Sequence, residues 1–368
     1  MGNFISGASG RTQILSGALI VARDSLSPLD RQFLESLGFS RVIHYARTKE
    51  GIPHADLAEA SVIWGSLYPS DIRSLAQAPR LRLIQLTNAG AERALQCPIW
   101  KEEASKDLWL ANASGVHAVV IPQYFIATTL ILFHKLQTQM LISQVEKRWT
   151  NGNEVAGGTL FIDELRGKTV GILGYGAIGR AAARLSAAFG ANVIAANTSG
   201  RKKPYEGWTI PGTGDTFFSI PSAWYSTASP SSFAEFLHYT DVLLVALPST
   251  PATRYILNEE TLAHLQPTAI VVNIGRGDLV STSALLAALD SGKLAGAALD
   301  VTDPEPLPTG HALFGRKNVI VTILHYIMSF SGRTNKYMQY ARDILALNVE
   351  RLRAGLKPVN SVDPQKGY

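Results

Sequence analysis

Hydrophobic and polar positions along the chain fall into two series of short apolar runs. In the first, runs at 17–22, 41–45, 61–65 and 81–86 read as strands, with helical spacing over 29–37 and 69–78 between them. A second, stronger series opens at Lys168, with near-continuous apolar runs at 169–173, 192–196, 241–245, 269–273, 295–299 and 318–322. Runs of that kind belong to strands covered on both faces, so the pattern predicts α/β architecture with a doubly wound parallel sheet in the second half. An amphipathic helix over 336–355, carrying Tyr340, Ile344, Leu345 and Leu352 on one side, closes the chain.

Three stretches fall outside this alternation. Residues 1–14 are small and polar and read as a flexible tail. Their start, Met-Gly-Asn-Phe-Ile-Ser, lacks the basic-then-apolar order of a secretory signal but matches the N-myristoylation pattern at Gly2. One acyl chain would be a weak tether, so no stable membrane insertion is expected. Residues 110–133 carry no formal charge, but Gly115, His117, Pro122 and Gln123 interrupt them, which predicts a loop and then a buried helix from Gln123 rather than a membrane span. Residues 198–232, rich in Gly, Pro, Ser and aromatics, read as a long loop. It is either a surface insertion or a contact with cofactor or partner.

The chain has 368 residues, a length that favours two domains, and its 46% hydrophobic and 17% charged residues exclude disorder. A formal charge of +5 is spread too thinly for nucleic acid, apart from the cluster Arg201-Lys202-Lys203. Cys97 is the only cysteine, which excludes an internal disulfide and a multi-cysteine zinc site and fits a cytoplasmic protein; no metal site is expected.

The chemistry starts at Gly174-Tyr175-Gly176-Ala177-Ile178-Gly179, a G-x-G-x-x-G that follows an apolar strand and opens an alanine-rich helix. In that setting Gly174 permits the tight turn, Gly176 lets backbone approach a pyrophosphate, and Gly179 lets helix pack on strand. Ala177 and Ile178 open the helix whose N–H groups and dipole face the phosphates. The fingerprint also predicts an acid at the end of the next strand, to hold a ribose 2′-hydroxyl. Asn197 stands there instead, followed by Thr198, Ser199, Arg201, Lys202 and Lys203, which suit a phosphate dianion. The expected cofactor is NADP, with NAD as the alternative. Three polar residues then follow strand ends of the same series: Arg276, Glu305 and His325. An arginine can clamp a carboxylate and polarise the neighbouring carbonyl, and a histidine held by a carboxylate can donate a proton as hydride arrives.

Together these residues resemble the D-isomer-specific 2-hydroxyacid dehydrogenase family, and its NADP-using glyoxylate/hydroxypyruvate reductase-like members in particular. The resemblance includes residues 83–92, similar to the family's substrate-carboxylate loop, and residues 112–118, similar to its interdomain crossing. It implies a Rossmann-type cofactor domain at 113–332, inserted into a smaller flavodoxin-like α/β substrate domain formed by 15–112 and 333–368. It further implies that Ala89 and Gly90 offer amides to the substrate carboxylate, that Arg276 binds the keto acid, and that Asp300 meets the nicotinamide carboxamide. Glu305 would pair with the acid–base His325, and the protein would be a homodimer acting on a small 2-keto acid, with Tyr124–Phe133 fitting the dimer contact or burial within one subunit. The histidine segment departs from the family's Thr-Pro-His pattern, being longer and lacking the proline between Thr322 and Ser331-Gly332. A dinucleotide-sensing, corepressor-like binding protein with little turnover is the alternative function.

Overall fold

Both apolar series fold into parallel sheets. The computed structural model describes residues 15–22, 26–46, 51–156, 161–322, 324–325, 328–329 and 334–364. The chain divides into two units: Met1–Val116 with Glu206–Trp208 and Asn335–Tyr368, and His117–Tyr205 with Thr209–Thr334.

In the first unit, β1 (Ala18–Ala22), β2 (Val42–Tyr45), β3 (Ala60–Gly65), β4 (Leu83–Leu86) and β5 (Trp109–Ala111) form one sheet in the order β2-β1-β3-β4-β5, every pair parallel. This 2-1-3-4-5 order is flavodoxin-like. Helix α1 (Pro28–Glu35) starts where Ser27 accepts a hydrogen bond from the Asp30 amide and Pro28 occupies the first turn. The C-terminal helix Tyr337–Arg353 covers the sheet with Ala341, Leu345, Val349 and Leu352 against Leu19, Val21, Val62 and the fully buried Trp64. Its one buried amide, Asn348, is satisfied by Gln85 Oε1 at 2.7 Å and by both backbone groups of Val359. The helix expected over 69–78 is reduced to a single 3-10 turn, Leu75–Gln77, capped by Ser74.

In the second unit, β6 (Thr169–Leu173), β7 (Asn192–Asn197), β8 (Ala223–Ser226), β9 (Val242–Val245), β10 (Ile270–Asn273), β11 (Gly296–Leu299) and β12 (Val319–Val321) form a parallel sheet ordered β12-β11-β10-β9-β6-β7-β8. Read from β6 this is the doubly wound 3-2-1-4-5-6 order, extended by one strand. Helix α2 (Val120–Phe133) begins ahead of Gln123 and buries Phe125, Ile126, Leu132 and Phe133 against the strands. Most of that apolar segment is buried, with Ala127 exposed and Tyr124, Leu130 and Ile131 half-buried. Among the described residues no single helix is long and apolar enough to cross a membrane. Helices α3 (Ala177–Ala188), α4 (Pro230–His238) and α5 (Thr282–Asp290) complete the layers. The stretch 198–232 is not one long loop: β8 pairs with β7 inside it, and α4 starts at Pro230, with Ser229 accepting from the Ser232 amide.

Candidate functional site

In an open α/β sheet, ligands meet the carboxyl ends of the strands where the strand order reverses. Here that point lies between β6 and β9. Gly174 follows β6 with φ +104°, and a Cβ on it would stand 2.8 Å from the Ala246 carbonyl just beyond β9. Gly179, in the first turn of α3, lies so close to the strand that a Cβ would sit 2.2 Å from Gly174 O. Gly176 differs from both: it caps α3 with φ −79°, and a Cβ would meet nothing within 4 Å. The open space beside it adjoins the first N–H groups of the helix, those of Ala177 and Ile178, which lack intrahelical acceptors. A pyrophosphate fits this cradle on the grounds of space, donors and dipole.

At the end of β7, Asn197 organises the turn that follows. Its Oδ1 accepts from the amides of Ser199 (3.0 Å) and Gly200 (2.8 Å) and from the Ser199 hydroxyl, while its Nδ2 donates to the Arg201 carbonyl at 2.7 Å. Thr198 O accepts from the Ser226 hydroxyl of β8 at 2.7 Å. The side chains of Arg201 and Lys202 are exposed, and no carboxylate pairs with either among the described residues.

Beyond β10 and β11 the structure brings together Arg276, Asp300 and Glu305. Asn273, almost fully buried at the end of β10, accepts from the Gly275 amide and donates to the Arg276 carbonyl, fixing the backbone that carries the guanidinium. Gly277 abuts the next loop so closely that a Cβ would overlap Thr302 O. Although Glu305 is exposed, desolvation by its surroundings raises its carboxyl above the ordinary glutamate range, against the lowering pull of a hydrogen bond from the Thr302 backbone and of the Arg276 guanidinium; the charge of Asp300 adds to the rise. Asp300 itself is buried and accepts from the Thr322 hydroxyl at 2.7 Å. That hydroxyl has one proton, so the Tyr124 hydroxyl, 2.9 Å away, must donate to Thr322. Burial accordingly holds the Tyr124 phenol well above its usual range. Nothing in the spacing of Tyr124 and Thr322 announced this chain of donors.

His325 lies in a two-residue strand, β13 (Leu324–His325), paired antiparallel with β14 (Met328–Ser329). The placement of the His325 imidazole lies outside the described residues, as does Gly2. In the first unit, Ala89 and Gly90 follow β4 in a loop pinned by three contacts. Tyr337 donates to Thr87 O, the Ala113 amide donates to Asn88 O, and Asn88 Nδ2 donates to Gly90 O. The Ala89 and Gly90 amides make no hydrogen bond among the described residues. Nor do those residues hold three or more His, Cys, Asp or Glu side chains grouped as a metal site.

Residues 128–323 match the family description "D-isomer specific 2-hydroxyacid dehydrogenase, NAD binding domain". An uncharacterized protein from the proB 3′ region of Corynebacterium melassecola is 34% identical over 289 residues, 78% of this chain and 84% of that one. A glyoxylate reductase of Aeropyrum pernix is 32% identical over 256 residues, 68% of each chain. Among solved structures, a D-isomer specific 2-hydroxyacid dehydrogenase from Xanthobacter autotrophicus Py2, in complex with NADPH and MES, superposes with a TM-score of 0.74 at 26% identity, covering 96% of this chain and 100% of that one.

Proposed function

This chain belongs to the D-isomer specific 2-hydroxyacid dehydrogenase family, and we propose that it acts there as an NADP-dependent reductase of small 2-keto acids of the glyoxylate and hydroxypyruvate class. The observation that carries the cofactor choice is the turn after β7. An uncharged Asn197 replaces the acid that would repel a 2′-phosphate, and the exposed cations Arg201 and Lys202 follow it without carboxylate partners among the described residues.

When bound, the dihydronicotinamide supplies a hydride to the carbonyl carbon. Gly174, Gly176 and Gly179, with the amides of Ala177 and Ile178, hold the pyrophosphate; Asn197, Thr198, Ser199, Arg201 and Lys202 hold the adenosine end. Asp300, fixed by Tyr124 and Thr322, receives the carboxamide. The amides of Ala89 and Gly90 take the substrate carboxylate. Arg276 binds the keto acid and stabilises the negative charge that grows on the carbonyl oxygen. His325 donates the proton to that oxygen, so that one hydride on carbon and one proton on oxygen convert the keto acid into a 2-hydroxy acid. Glu305 pairs with the imidazolium and orients it. We assign the substrate domain to 15–112 with 333–368, and the cofactor domain to 113–332.

The protein acts in the cytoplasm as a homodimer in this reading. The exposed Met140, Leu141 and Val145, on the segment after α2, support a contact between copies. Gly2 is the proposed acceptor of a myristoyl tether, read from the mass of the N-terminal peptide. Steady-state oxidation of NADPH and of NADH with a panel of 2-keto acids tests the central assignment. Binding of NADPH without turnover on any of them would instead favour a dinucleotide sensor, a reading that reductase-named relatives do not favour.

A further inference from the structure

The first turn of α3 places a charged residue, Arg180, directly after the last glycine of the fingerprint. Its side chain is only 3% exposed. A buried guanidinium is costly unless it is surrounded by suitable partners, and the partners here come from the segment after β7 and from Tyr175 of the fingerprint. Phe218 lies 3.9 Å below the guanidinium carbon, with Tyr175 and Tyr205 at 5.1 and 5.2 Å. Phe218 adopts φ +53°, a left-handed conformation that a bulky residue holds only where contacts impose it. The Asp215 carboxylate lies near enough for its charge to favour the guanidinium, but its hydrogen bonds go elsewhere: it accepts from the Tyr175 hydroxyl and the amides of Ser219 and Ile220. The guanidinium donates to two backbone carbonyls: Nη1 to Asp215 O at 2.7 Å and Nη2 to Lys203 O at 3.1 Å.

The second of these bonds fixes the far end of the cationic triplet. Its near end is fixed by Asn197 Nδ2 on the Arg201 carbonyl. The backbone of Arg201-Lys202-Lys203 is thus clamped at both ends, while the three side chains stay exposed and unpaired with carboxylates among the described residues. Ordering three adjacent cations only when a dianion arrives would subtract from its affinity; a loop already ordered avoids that cost.

We propose that Arg180 is a positioning residue for 2′-phosphate recognition, acting through the Lys203 carbonyl to hold the cationic triplet in its binding arrangement. The proposal rests on the NADP reading above and adds that discrimination against NADH depends on a buried residue of the pyrophosphate helix.

The test is Kd for NADPH and NADH by calorimetric titration on the full chain, comparing the unmodified protein, R180M, the triplet variant R201A/K202A/K203A, and all four substitutions together. Methionine keeps the apolar stem among the rings and removes both donors. R180M should weaken NADPH about tenfold and leave NADH unchanged, and it should add nothing in the triplet background, because coupled residues are non-additive. Equal weakening of both cofactors, or full additivity with the triplet variant, would show a purely structural role and overturn the proposal. A triplet variant that loses NADPH preference while R180M keeps it would overturn the proposal and leave the NADP reading standing. An unmodified protein with no NADPH preference would remove both. Should R180M fail to fold, R180K retains the buried charge but replaces the two-pronged donor by one ammonium; its NADPH preference must fall, and undiminished preference refutes the assignment.

Discussion

Gly176 and Gly179 stand three residues apart in one motif, yet alanine should act on them through different physics. At Gly176 an added Cβ meets no protein atom within 4 Å, and φ −79° suits any residue, so the folded protein should tolerate the change. The methyl group would instead occupy the space through which a pyrophosphate approaches the first amides of α3. Charge-assisted hydrogen bonds of that kind contribute about 1.5–3 kcal/mol, so displacing the phosphate should raise the NADPH Kd roughly ten- to a hundredfold. At Gly179 the Cβ would stand 2.2 Å from Gly174 O, a backbone atom that cannot swing aside, and 3.0 Å from Ile172 Cγ2. Relieving that overlap requires α3 to retreat from β6 by about 1 Å. Overpacking costs up to about 3 kcal/mol, and the helix-propensity gain of alanine returns about 1, leaving a loss of about 2 kcal/mol and a Tm lower by roughly 4–8 °C. Thermal melts and NADPH titrations on both variants separate the two effects. If G176A melts as low as G179A, or binds NADPH as the unmodified protein does, the cradle has been misread.

The remaining predictions concern single side chains. R276A should lose about 3 kcal/mol of transition-state stabilisation, roughly a hundredfold in kcat/KM for the keto acid, while its NADPH Kd stays unchanged; loss of cofactor affinity would refute the assignment. Because the fold raises the Glu305 carboxyl above its unfolded value, its ionisation destabilises the protein as pH rises through the folded pKa. E305Q should therefore melt higher than the unmodified protein near neutral pH, the difference vanishing below the ordinary glutamate pKa of about 4.3, and it should turn over more slowly. Burial, reinforced by the charge of Asp71, pushes the Cys97 thiol up to about 12. Iodoacetamide should therefore leave the native protein unlabelled at neutral pH and label it once denatured.

How far the fold was legible depended on burial. The runs of β6, β9, β10 and β11 are apolar at almost every position because helices cover both faces, and their positions follow directly from composition. β8 escaped because it is an edge strand, half-buried throughout, with a polar surround that reads as loop. β5 escaped because three residues are too few to show a period. The expected helix at 69–78 was a misread period: apolar Ile72, Leu75 and Ala78 do face the core, but they do so from turns. Local chemistry was legible in the same selective way. The glycine fingerprint lies within six residues, so its turn and its helix start are set by neighbours in sequence. The donor chain onto Asp300 joins residues 198 positions apart, and Arg180 reaches carbonyls 23 and 35 positions away, distances over which only the packed fold makes a pattern.

Asn197 shows why the residue type at a strand end carries more than the sign of its charge. An aspartate there could still accept from the Ser199 and Gly200 amides, so the turn itself does not demand an amide. It could not donate to the Arg201 carbonyl, and its negative charge would lie beside the cations that follow. Both differences act in one direction: an acid would release the near end of the clamp and neutralise part of the field it presents. The amide keeps the turn, holds the triplet and leaves its charge intact. On the proposed reading, the residue that marks cofactor preference in the sequence is also the one that orders the turn after β7, so preference and loop order would be lost together.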